Sequence, residues 1–257
     1  MIERLFRYQA SSDYDCYTVH YTWHKKRRAL RELFDLAVAG QRRENLRILD
    51  VGCGDGYDLF MLSRAPAGGK CARLVGVDLD GGNVAYGRAR AAFEGDRRLE
   101  FKACDAVAEP LGAGEPPDII ICSEVVEHLS DPDRLIARLA ELLPAGGHLI
   151  LTTPNGGSWP ARLRRALGRV PAPAEAAASG HISVRGRKEW RAACRRAGLR
   201  LLAERRGSAV YGAPALDRRR LLAGLCIALD GLCDALRLKN MSWETLQLYR
   251  KDRPSGA

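Results

Sequence analysis

No run in this chain is apolar for the ~18 residues a membrane-spanning helix needs, and its first fifteen residues, MIERLFRYQASSDYD, lack the apolar core of a secretory signal. Both absences lead us to expect a cytoplasmic protein. The eight cysteines include no Cys-x-x-Cys pair, and Cys53, Cys122 and Cys226 sit in apolar or glycine-rich runs. That argues against a zinc ribbon or a disulfide framework and for reduced, small, buried side chains. There is no internal repeat, and no Gly-Lys-Ser/Thr triplet of a phosphate-binding P-loop.

What remains is the make-up of a globular protein: 257 residues, 46% hydrophobic and 28% charged, enough for one large core. The net charge of +10 is uneven, with 21 Lys and Arg against 8 Asp and Glu in residues 156–257, so the rest is slightly acidic. A basic half can face phosphates, an anionic membrane surface or an acidic substrate, or can simply spread arginine over solvated helices.

Trp23, Leu30, Leu33, Phe34 and Ala37 predict a helix over 23–39. Short apolar runs follow at 47–51 and 60–62, and strands are predicted at 74–77, 99–103, 118–122 and 148–152. The 118–122 run, DIIIC, is almost wholly β-branched, as befits a central strand covered on both faces. Helices are predicted at 85–93, 131–143 and 187–197. The second has Ser130 as its N-cap and is stopped by Pro144 and Gly146-Gly147; the third is closed by Gly198. Late strands fall at 199–204 and 244–250. This alternation predicts an α/β fold, a parallel sheet with helices on both faces. Residues 157–180 and 210–242 stand outside it and read as insertions beside a substrate site.

Residues 48–56, ILDVGCGDG, end a strand at Asp50 and place glycines at 52, 54 and 56. A dinucleotide fingerprint needs its third glycine where Tyr57 stands. An acid before the loop repels a pyrophosphate but suits the ammonium of an amino-acid-like cofactor. Asp78 ends the second strand, where a carboxylate can accept both ribose hydroxyls. Asp105 follows the third strand, at the adenine edge. A cationic cofactor bearing adenosine and an amino acid accounts for all three acids.

ILDVGCGDG, VGVDLD, the Asp105 segment, DIIICSEVVEHL and GGHLILTTPNG, in this order across residues 46–201, resemble the class I S-adenosylmethionine-dependent methyltransferases. The resemblance implies a Rossmann-like fold: a seven-stranded, mostly parallel sheet with a reversed last hairpin and helices on both faces. It implies that Asp50 and the backbone of Gly52 and Gly54 hold the methionine part of the cofactor, Asp78 the ribose and Asp105 the adenine. Cys53, Leu79, Cys104, Ala106 and Ser123 complete the expected S-adenosylmethionine site. The whole chain is expected to be one methyltransferase domain. Residues 1–45 form a helical cap, 46–156 the cofactor core, 157–180 an insertion or lid, and 181–257 a C-terminal part with a helical insertion at 210–242.

After the fourth strand, Glu124 and Glu127 are three residues apart and His128 is four from Glu124. On a helix all three face one pocket, a competent site for Mg²⁺ or Mn²⁺. The ExxEH pattern resembles two branches, the small-RNA 2′-O-methyltransferases and the ubiquinone-biosynthesis O-methyltransferases. Their pattern makes His181 a fourth metal-ligand candidate beside Glu124, Glu127 and His128. In the other reading Glu127 and His128 are locally satisfied helix-start residues. The catalytic candidates are His128, His181 and Glu124, a histidine serving as the base.

Residues 159–170, WPARLRRALGRV, gather Trp159, Leu163, Ala166, Leu167 and Val170 on one side of a basic helix. It is read first as a lid packed over the pocket, with peripheral contact to a membrane surface as the alternative. The run 221–236 is too short, and too interrupted by Asp230 and Asp234, to span a bilayer; a helix on the core or at a dimer interface is expected. Tyr14, Tyr17, His20, Tyr21 and Trp23 precede the expected first helix and either close over the acceptor or belong to the core. The expected activity is O-methylation of a small-molecule hydroxyl (a secondary metabolite or quinone precursor) or of a glycan or lipid-linked saccharide. Two alternatives stand: an RNA ribose 2′-O-methyltransferase, favoured by the basic half though no RNA-binding module is recognisable, and a non-catalytic S-adenosylmethionine-binding partner protein.

Overall fold

The computed structural model describes residues 17–111, 115–167, 180–209 and 220–252. Tyr14, residues 168–170 of the predicted basic helix and residues 210–219 of the second insertion lie outside them.

Seven strands, β1 (Leu46–Val51), β2 (Cys71–Asp78), β3 (Leu99–Ala103), β4 (Ile119–Ser123), β5 (His148–Pro154), β6 (Leu199–Arg206) and β7 (Glu244–Lys251), form one sheet in the order β3-β2-β1-β4-β5-β7-β6. Every pair from β3 to β5 is parallel, while β7 runs antiparallel to both β5 and β6. This is the reversed hairpin that the resemblance implied. The chain winds outward from β1 to β3 and then crosses to β4 on the other side of β1. The strand order therefore reverses between β1 and β4, and the carboxyl ends there open a crevice.

Side-chain alternation makes the sheet two-sided. Ile48, Ile119, Ile121 and Ile150 point to one core, which contains helix α1 (Tyr17–Ala39) through Leu30, Leu33 and Phe34. Leu49, Ile120, Cys122 and Leu149 point to the other, against Leu135, Ile136 and Leu139 of α4 (Pro132–Leu142) and Trp190 of α6 (Arg187–Arg196). Burying such a side chain is worth about 1.5–3 kcal/mol, so each isoleucine of β4 helps to fix the register. The remaining helices are α2 (Tyr57–Ser63), α3 (Gly81–Glu94), α5 (Trp159–Ala166) and α7 (Arg220–Ala235). The seven cysteines among the described residues are all free, and Cys53, Cys71, Cys122 and Cys194 are buried.

Several expectations change. The 60–62 run, to which the sequence assigns no element, belongs to helix α2 (Tyr57–Ser63). The first helix begins at Tyr17, so Tyr17, His20, Tyr21 and Trp23 lie within it rather than before it. Ser130 does not cap α4; the side chain of Asp131 accepts from the N–H of Arg134 at 3.2 Å. Asp131→Ala should lower stability by about 1 kcal/mol, read as a shift in the denaturation midpoint at unchanged slope. Helix α3 starts four residues earlier than predicted because Asp80 accepts from the N–H groups of Gly82 and Asn83.

The second insertion is anchored by one buried acid. Asp230 of α7 accepts from Tyr21 Oη (2.7 Å) and Lys25 Nζ (2.5 Å) on α1, Arg206 Nη1 (2.7 Å) on β6 and the Ala209 N–H (2.7 Å). The described part of the first insertion, α5, is not packed as a lid. Trp159, Leu163 and Leu167 are 57%, 59% and 62% exposed, so the apolar side of α5 faces outward instead of closing on the sheet.

Candidate active site

At the end of β1 the chain folds over β2: the N–H groups of Gly52 and Cys53 both donate to Val77 O, at 2.8 and 3.1 Å. Gly52 must be glycine. Its φ is +73°, and a Cβ there would lie 2.2 Å from Val125 Cγ2. The same contact places the cofactor loop directly against the segment that follows β4. The Gly54 N–H donates to Asp78 Oδ2 at 2.8 Å, and the Asp80 N–H to Asp78 Oδ1 at 2.9 Å. Each carboxylate oxygen retains a further lone pair for a ligand hydroxyl.

Asp50 is 2% exposed on β1, and burial, reinforced by Asp58 and Asp78, pushes its pKa well above the ordinary carboxylate range. Asp58 and Asp78 add negative charge beside it, and a cation placed there would oppose that rise. Leu79, 74% exposed beyond Asp78, offers an open apolar surface on the same rim. Asp105 Oδ1 accepts from the Val107 and Ala108 N–H groups at 2.7 and 3.1 Å, so it fixes the turn after β3. Cys104 and Ala106 flank it, half-buried, while Cys53 is buried under the first loop.

The ExxEH segment is not a regular helix. Glu124 takes φ +55°, a strained value for a non-glycine residue, and only Val126–His128 form a 3₁₀ turn. The three side chains therefore do not share one helical face. Glu124 Oε1 turns to Lys26 Nζ (3.2 Å) and Thr152 Oγ1 (3.1 Å), and Ser123 Oγ meets the same Thr152 hydroxyl at 2.7 Å. Glu127 is fully buried; its Oε2 accepts from Thr153 Oγ1 at 3.3 Å while Oε1 has no partner. Burial and the neighbouring Glu124 raise its pKa to about 8.

The backbone brings His181 to this turn. The Ile182 and Ser183 N–H groups both donate to Glu127 O at 2.9 Å. His128 Nδ1 meets Gly180 O at 3.0 Å, and the two imidazoles sit edge to face with centroids 4.8 Å apart. Gly180 has φ +67°, and a Cβ there would press on His128 Nδ1 at 3.0 Å. The ligand atoms of Glu127, His128 and His181 lie within 4.8 Å of one another. Three of the four expected ligands converge in this way, and Glu124 belongs instead to the ion pair with Lys26.

Four charged residues escaped the sequence reading. Lys26 is 6% exposed; burial pulls its pKa down, but Glu124, Glu244 and Asp58 outweigh that and raise it. Glu244 is raised to about 7 by burial against the pull of Lys26, and its Oε2 lacks a partner. The Arg27 guanidinium stacks 3.6 Å from the Tyr57 ring and 5.2 Å from Trp23, beside the glycine loop. Lys26 precedes Leu30 by four and Leu33 by seven, so its place on the buried stripe of α1 was the available signal.

Comparison with known proteins places the chain in a family. A family model described as a methyltransferase domain matches residues 22–204. The ubiquinone biosynthesis O-methyltransferase of Leptothrix cholodnii is 34% identical over 114 residues, 44% of this chain and 46% of that protein. Its mitochondrial counterpart from Homo sapiens is 32% identical over 112 residues, 43% and 29% of the two chains. This chain thus spans less than half the length of these curated relatives. Among solved structures, the magnesium protoporphyrin IX methyltransferase of Synechocystis PCC 6803 with bound SAH gives a TM-score of 0.62 over 98% of this chain and 93% of that one, at 15% identity. The cyclase SpnF gives 0.60 over 88% and 82%, at 21% identity. Those likenesses are of fold. The family match covers well over half of the sequence: the chain belongs to the methyltransferase-domain family, with the class I S-adenosylmethionine-dependent methyltransferase fold.

Proposed function

We propose that the chain binds S-adenosylmethionine across the carboxyl ends of β1 to β3 and methylates a hydroxyl oxygen held before β4 and β5. The acceptor is a small molecule, or a glycan or lipid-linked saccharide. One observation carries the choice of oxygen: Glu127, His128 and His181 converge to within 4.8 Å, next to the segment that abuts the cofactor loop. The ubiquinone biosynthesis O-methyltransferases among the relatives support the same choice.

S-adenosylmethionine supplies the methyl group on a sulfonium. Asp50 would hold the ammonium, the backbone of Gly52 and Gly54 the methionine part, and Asp78 the ribose hydroxyls. The acceptor oxygen attacks the methyl carbon in line, the C–S pair leaves with sulfur, and one proton must be removed. His128 suits that task. A carbonyl only accepts, so Nδ1 donates to Gly180 O and the neutral ring presents a lone pair at Nε2. His181 has its pKa lowered by burial and by His128, which keeps it neutral near pH 7.

The buried, partnerless Oε1 of Glu127 and the two imidazoles also fit a divalent cation such as Mg²⁺ or Mn²⁺. When bound, such an ion acts as a Lewis acid that acidifies a coordinated hydroxyl. Lys26 holds Glu124 and so ties α1 across the acceptor side.

Two measurements test this reading. Asp78→Ala should weaken S-adenosylhomocysteine binding roughly 10–100-fold by calorimetry, since it removes charge-assisted hydrogen bonds; unchanged affinity would displace the ribose from Asp78. Labelled-methyl transfer to vicinal-diol acceptors should fall on EDTA treatment and return with Mg²⁺ or Mn²⁺. Transfer that survives thorough chelation would leave His128 as base without a metal.

A further inference from the structure

Among the described residues, two helices outside the site carry exposed apolar faces. The inner side of α7 holds Ala223 and Asp230, both buried. Its outer side shows Leu225, Leu229, Leu232 and Leu236 at 57%, 53%, 53% and 60% exposure. The spacing of four, three and four keeps these leucines in one row along the helix. A second row, Gly224, Ala228, Gly231 and Ala235, is exposed beside it, so this outer face carries no charge. Single exposed leucines are ordinary, whereas a continuous uncharged row marks an interaction surface.

Helix α5 adds to that surface. Its Trp159, Leu163 and Leu167 face outward, and the Trp159 N–H donates to Asn240 O at 2.9 Å, just past the end of α7. Trp159 and Leu238 line one depression together with Arg187, Arg237 and Lys239. The Arg162 guanidinium lies 5.1 Å from the Trp159 ring. The apolar rows of α5 and α7 thus meet at a corner rimmed by three exposed cations, Arg162, Arg237 and Lys239.

The geometry points to a docking platform for an anionic phospholipid bilayer. The leucine row of α7 and Trp159 enter the interface, and the exposed Arg162, Arg237 and Lys239 meet the headgroups, while Arg187 is held by Glu204 and Asn240. Charge decides the occupant. Residues 156–257 hold 21 Lys and Arg against 8 Asp and Glu, so two copies meeting through this face bring basic rims together, whereas an anionic surface neutralises them. The leucine row runs along one 16-residue helix, about 24 Å. A bilayer accepts the same apolar row without needing a complementary shape. Among the described residues no helix is long and apolar enough to cross a membrane, so the contact is peripheral. This inference stands independently of methyl transfer, and it would bring the crevice near lipid-borne acceptors.

The test is co-sedimentation of the full chain with vesicles of phosphatidylcholine alone and of phosphatidylcholine mixed with phosphatidylglycerol. The chain should pellet with the mixed vesicles at least ~10-fold more than with the neutral ones, and added salt should release it. The double variant Leu229→Asp, Leu232→Asp should lose at least ~10-fold in binding, with unchanged melting temperature and S-adenosylhomocysteine affinity, because both side chains are exposed. Three results would overturn the proposal: no pelleting with anionic vesicles at low salt, equal pelleting with neutral ones, or a solution dimer that the same two substitutions dissociate.

Discussion

His128→Ala is expected to lower methyl transfer about 10²–10⁴-fold, the usual worth of a positioned general base, while leaving cofactor affinity unchanged. The reason is geometric. His128 sits on a 3₁₀ turn anchored through Val125 to the glycine loop, and its Nδ1 is committed to Gly180 O. Only Nε2 remains to receive a proton or hold a cation. His181→Ala should have a smaller effect on the proton transfer itself but should weaken any Mn²⁺ binding, because it removes one of three converging ligands. If His128→Ala turned over like the native protein, the acceptor chemistry would have to be placed elsewhere, with Glu124 and Lys26 the next residues to test.

The largest stability effect is expected at Asp230. Its carboxylate is fully buried, and Arg206 and Lys25 point into it with side chains only 5% and 13% exposed. Asp230→Ala leaves those cations in a dry site and should cost roughly 3–5 kcal/mol. For a chain of this size that is a fall in melting temperature on the order of 10 °C. Asp234→Ala, 46% exposed and bonded to the same two cations, should cost under about 1 kcal/mol. Burial alone would raise the pKa of Asp230, but the bonds from Lys25, Ala209, Tyr21 and Arg206 hold it lowered. Its contribution is therefore present above the unfolded value of about 3.9 and is lost as pH falls through the lower folded value. Acid should release α7 from α1 before the central sheet opens, which hydrogen exchange along both helices would report. Equal losses for the two aspartates would contradict the anchoring role.

The cofactor half of the molecule was legible because its signals are local. The glycine spacing, the acids ending β1 and β2 and the isoleucines of β4 each belong to one element and hold wherever the rest of the chain goes. The acceptor side was less legible because it is assembled at long range. Glu124 leaves the expected helical face through one left-handed residue, which no periodicity announces. Lys26, Asp58 and Glu244 come from α1, α2 and β7, far apart in sequence, and only the folded sheet joins them. The outward turn of Trp159, Leu163 and Leu167 shows the same limit. Amphipathic spacing reveals an apolar side and leaves open whether it meets protein, lipid or water.

Calorimetric titration of the native chain with S-adenosylhomocysteine tests the central claim most directly. The account predicts one saturable site that is lost in Gly52→Val, whose side chain would collide with Val125, and weakened in Asp78→Ala. Absence of binding by the native chain, with the fold intact by circular dichroism, would contradict it.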